Sequence, residues 1–87
     1  MDQVQSNSPG NISIKLISDV LFIQVDDNFN GTELVKIYDI NGKCILEYKA
    51  HPGINYCELN VSTLAKGNYF LSIDSENRLR NKRFVKN

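Results

Sequence analysis

Apolar and polar residues alternate with a period of two through most of this chain, and no stretch carries the 3.6-residue repeat of an amphipathic helix. The alternating runs are "NISIKLI" (11–17), "VLFIQVD" (20–26), "ELVKIYDI" (33–40), "KCILEYKA" (43–50), "INYCELNV" (54–61), "NYFLSID" (68–74) and "LRNKRFVK" (79–86). A strand patterned this way has one face to bury, and short strands spaced about ten residues apart bury those faces by stacking two antiparallel sheets. The expectation is an all-β sandwich of about seven strands. At 87 residues the chain is long enough for one such core and no more. Residues 11–87 read as that domain, and residues 1–10 as a disordered or linker tail.

The same alternation names the buried side chains. Leu21, Ile23 and Val25 share a face, as do Val35 and Ile37, and Cys57, Leu59 and Val61; Tyr69, Leu71, Ile73 and Phe84 extend the core across the last two strands. Between strands, Asn41 and Gly42 can both take positive φ, which predicts a primed hairpin turn. Pro52 and Gly53 predict a second hairpin reversal, joining runs 43–50 and 54–61. In "LAKGNYFLSI", Leu64 is expected to plug the core where the chain crosses between sheets. Gly67 lets the backbone turn, and Tyr69 buries its ring while its hydroxyl seeks a backbone acceptor. A tyrosine at such a corner is a mark of the immunoglobulin-like sandwich.

Residues suited to chemistry are sparse. Ten acidic and ten basic side chains leave a formal net charge of zero, so no global field draws in nucleic acid or a membrane surface. The longest apolar runs, such as "VLFI" at 20–23, fall far short of the roughly 18 residues a spanning helix needs. The start "MDQVQSNSPG" has neither the basic nor the apolar region of a secretory signal, and reads as the beginning of an excised piece of a longer protein. Cys44 and Cys57 fit no metal-binding spacing; they face each other if their strands form a hairpin, or serve as small apolar side chains. His51, beside Pro52, reads as a solvated loop residue. Asp26 and Asp27 before "NFNGTE" lack the ordered ligand spacing of a calcium loop. With no phosphate loop, dinucleotide fingerprint or nucleophile elbow, the chain is expected to be non-enzymatic and to need no cofactor or metal.

One charge asymmetry stands out. Arg78, Arg80, Lys82, Arg83 and Lys86 place half of the basic residues in the last eleven positions, without an acid among them. Such a strand is either an edge blunted by charge against unwanted pairing or an electropositive strand displayed to a partner.

The order "LVKIYDINGKCI", then "CELNVSTLAKGNYFLSI", then a closing "RNKRFVKN" resembles the C-terminal sorting domain of type IX secretion cargo from Bacteroidetes, the Por secretion system family. The resemblance covers about residues 20–87. Tyr38, Gly42, Leu64, Gly67, Tyr69 and Phe84 fall on its motif positions, and Lys82, Arg83, Val85 and Lys86 complete its closing strand. It implies a compact sandwich behind an upstream cargo domain, read by an outer-membrane translocon through Lys82, Arg83, Phe84, Val85 and Lys86. A sortase-like protease then often removes it. The implied route runs through the periplasm to the cell surface or the medium. The other reading is a free-standing secreted sandwich that binds carbohydrate or acts in adhesion, with Tyr48 and Tyr56 stacking on a ligand.

Overall fold

The computed structural model describes residues 12–75 and 79–87. The expected tail at 1–10 lies outside them. Seven strands form: β1 (Ile12–Ile17), β2 (Val20–Val25), β3 (Leu34–Tyr38), β4 (Cys44–Lys49), β5 (Tyr56–Asn60), β6 (Gly67–Asp74) and β7 (Leu79–Lys86). They pair antiparallel into a three-stranded sheet ordered β1-β2-β5 and a four-stranded sheet ordered β4-β3-β6-β7. The expected immunoglobulin-like β-sandwich is the fold observed.

Every residue named for the core from alternation is buried between the sheets, and Leu21, Val35, Ile37, Val61, Leu71 and Ile73 are wholly so. Ile12, Phe29 and Ala50 join them. Leu64 is half-buried and packs on the same cluster, at the crossing from β5 in one sheet to β6 in the other.

Two expected turns differ. The chain does not make a hairpin at Pro52 and Gly53, because β4 and β5 belong to different sheets. Residues 50–55 instead cross the end of the sandwich alongside the 26–33 loop. Phe29 N–H donates to Ile54 O at 2.7 Å, Gly53 N–H to Phe29 O at 2.8 Å and Ala50 N–H to Glu33 O at 3.1 Å. With that hairpin gone, Cys44 and Cys57 cannot face each other: both are free, Cys44 exposed and Cys57 buried.

The turn between β3 and β4 has positive φ only at Gly42 (83°), not at Asn41. Asp39 is the reason: its Oδ1 accepts Asn41 N–H at 2.9 Å and Lys43 N–H at 3.0 Å, while its carbonyl accepts Gly42 N–H at 3.0 Å. That network holds the three-residue loop, in which a glycine alone supplies the left-handed residue. Tyr38 then opposes Cys44 and Ile37 opposes Leu46, leaving Ile45 as a bulge.

Candidate functional site

The closing strand β7 is an edge strand, paired in the ladder with β6 alone among the described strands. Alternation divides its side chains between two faces. Phe84 and Lys86 are buried with Arg80, whereas Leu79, Asn81, Arg83 and Val85 face out. Lys82 is exposed, but its Nζ donates to Ile12 O on β1 at 2.9 Å and ties the strand to the opposite sheet.

The buried half of β7 completes a corner of the core. Phe84 sits opposite Tyr69 in the ladder, with ring centroids 5.6 Å apart and planes at 25°. The Tyr69 hydroxyl donates to Ala65 O, four residues upstream, at 2.5 Å. Lys86, opposite Gly67, sends its ammonium into the β5–β6 crossover, donating to Val61 O at 2.6 Å and Leu64 O at 2.7 Å, with Asp19 Oδ1 at 3.6 Å. A buried ammonium is tolerated only where its donors are satisfied, and these carbonyls satisfy it. At φ +151°, Gly67 starts β6 in a backbone conformation that side chains resist, although no atom would obstruct a Cβ there.

The motif residues therefore separate into two places. Leu64, Gly67, Tyr69, Phe84 and Lys86 meet at the crossover. Tyr38 lies on the outer face of the four-stranded sheet, where a cross-strand row runs Cys44, Tyr38, Phe70, Arg83. A shallow groove beside this row is lined by Tyr38, Gly42, Phe70, Ser72, Leu79 and Asn81. Lys36 and Asp74 form an ion pair there at 3.6 Å, and Asp74 accepts Ser72 Oγ–H at 2.5 Å. The Lys36 ammonium is held above its ordinary pKa, chiefly by the Tyr38 oxygen, with burial opposing and Asp74 and Glu47 adding to the shift.

Phe70 and Leu79 were not singled out from sequence, yet the signal is there. Alternation calls for a polar residue between inward Tyr69 and Leu71, and Phe70 stands in that position, 42% exposed.

The remaining candidates do not converge. Tyr48 sits on β4, half-buried and edge-on to His51 with centroids 6.2 Å apart; Tyr56 is exposed on β5 in the other sheet, so the two tyrosines share no face. In the 26–33 loop, Glu33 turns inward. Its carboxylate accepts Asn30 N–H at 3.1 Å and Gly31 N–H at 3.2 Å, and Asn30 Oδ1 accepts Thr32 N–H at 2.9 Å. Among the described residues, no three His, Cys, Asp or Glu side chains gather where they could hold a metal ion. Burial pushes the Cys57 thiol up to about 11, leaving it protonated and unreactive at neutral pH.

A DUF3244 family protein from Bacteroides vulgatus, with an immunoglobulin-like β-sandwich fold, superposes with a TM-score of 0.72 at 16% identity, over 90% of this chain and 85% of that one. At that identity the likeness is one of fold. No curated protein matches the sequence. The family model of the secretion system C-terminal sorting domain matches residues 5–87, taking in all seven strands, and the chain belongs to that family.

Proposed function

We propose that this domain is a non-catalytic address label. It directs an upstream cargo protein through the periplasm and across the outer membrane to the cell surface or the medium. The type IX translocon reads its closing strand, residues 82–86, and a sortase-like protease removes the label afterwards. Family membership over residues 5–87 is the observation that carries this reading.

The geometry of β7 supports a particular form of it. Phe84 and Lys86 are turned into the core and the Lys82 ammonium is engaged by β1, so among residues 82–86 the side chains turned outward with no such tie are Arg83 and Val85. The label is read as a folded surface, and the inward residues act by holding that surface in place.

The test joins residues 1–87 behind a signal peptide and a fluorescent reporter in a bacterium with a working type IX system. Surface or medium localisation that is lost in a translocon mutant, and lost on deleting residues 82–87, is the expected result. Periplasmic retention of an intact, folded fusion overturns the reading in favour of a free-standing binding sandwich.

A further inference from the structure

Phe70, Leu79 and Val85 are 42%, 65% and 51% exposed, and all three stand on the outer face of the four-stranded sheet. Each occupies a position where alternation would place a polar residue, so the face departs from the pattern that gives the sandwich its solubility. Tyr38 continues the apolar surface as the cross-strand neighbour of Phe70.

Arg83 stands opposite Phe70 on the other side. Lys36 on this face is matched by Asp74, whereas Arg83 has no ion pair among the described residues. The outer surface of the three-stranded sheet also exposes Ile17 and Tyr56, but there Phe22 lies between charges of both signs, Lys15 and Glu58.

We propose that Tyr38, Phe70, Leu79, Arg83 and Val85 form a docking surface for a protein of the export apparatus, one that offers apolar side chains around a carboxylate set against Arg83. The proposal rests on the sorting reading and deepens it. Two observations choose this occupant. The face is continuous with Arg83 and Val85, outward groups of the closing strand, and Arg83, set directly opposite Phe70 and without an ion pair among the described residues, calls for an acidic group within an otherwise apolar contact. Aromatic and arginine side chains together are the usual anchors of such interfaces.

The experiment uses the reporter fusion in cells with a working type IX system. Photoreactive benzoylphenylalanine replaces Phe70 or, on the opposite sheet, Phe22. The expected result is an adduct with one envelope protein from position 70, missing from position 22 and from a translocon-deficient strain. Arg83→Glu is expected to lower that adduct and the export rate about tenfold or more, the loss of one anchor's worth of affinity, with thermal melting unchanged. Arg83→Lys retains most of both.

Equal adducts at both positions, an adduct only with a second copy of the fusion, no adduct from an exported fusion, or indifference to Arg83→Glu would each overturn the surface while leaving the sorting reading intact. A wild-type fusion that is never exported overturns the sorting reading, and the surface falls with it.

Discussion

The two ends of the sandwich solve one problem with opposite charges. At one end the Glu33 carboxylate collects the backbone N–H groups of Asn30 and Gly31. At the other the Lys86 ammonium donates to the carbonyls of Val61 and Leu64. Loops that cross between sheets leave main-chain groups without ladder partners, and an ionised side chain can satisfy two of them at once. The difference is range. The Glu33 carboxylate reaches back two and three residues and so acts within its own loop, whereas Lys86 lies 25 and 22 residues beyond the carbonyls it holds. The crossover end is complete only when the last strand is docked.

The largest break in this symmetry is expected from Phe84→Ala. It removes the ring stacked on Tyr69 and undocks the strand that carries Lys86, at a cost of about 3–5 kcal/mol. Urea unfolding measures it, and a loss below about 1 kcal/mol would mean that β7 contributes little to the core.

Next come the two ionised side chains themselves. Lys86→Met leaves Leu64 O without the lysine donor and Val61 O with Leu64 N–H alone, and is expected to cost about 2 kcal/mol; Glu33→Gln keeps an acceptor near its local partners and is expected to cost about 1 kcal/mol. Equal costs would remove the distinction between the distant and the local clamp.

Tyr69→Phe deletes only the hydroxyl bond to Ala65 O and is expected to lower stability by about 1 kcal/mol, read as a shift in melting temperature of roughly 4–8 °C. At alkaline pH, Cys57 adds a dependence belonging to neither end. Its folded pKa of about 11 lies above the ordinary 9.0, so stability is unaffected below pH 9 and falls as pH rises from there toward 11. Cys57→Ala is expected to flatten that slope.

The smallest change is a gain. Ser18 holds φ 55° in the two-residue turn beside Asp19, and Ser18→Gly is expected to relieve that backbone for about 0.5 kcal/mol of added stability.

How much of this was legible follows from which interactions carry a residue signature. Alternation fixes strand faces locally, so Leu21, Ile37, Leu71 and Phe84 could be assigned to the core from sequence. The Tyr69 corner was legible for the same reason: a leucine, a glycine and a tyrosine in close succession have one economical packing.

Sheet partnership is non-local, and Pro52-Gly53 suits a crossing as well as a hairpin, so the separation of β4 from β5 was not visible. Phe29 is the one aromatic in a polar loop, a faint cue to its burial. Lys86 gave one faint cue, its place two residues beyond inward Phe84; otherwise a lysine among arginines reads as solvated, and its partners are carbonyls that any residue supplies. The candidate site was half legible in consequence. The closing strand could be named, but its division into an inward clamp and an outward surface depends on a burial pattern that charge conceals.

Native-state hydrogen exchange in wild type and Lys86→Met tests the central claim, that the last strand locks the distant crossover, most directly. The amides of Val61 and Leu64, bonded to Asp19 O and Val61 O at the clamp, are predicted to lose protection, while those of Phe29 and Gly53 at the far end keep theirs. Uniform loss at both ends, or unchanged protection at Val61 and Leu64, would contradict it.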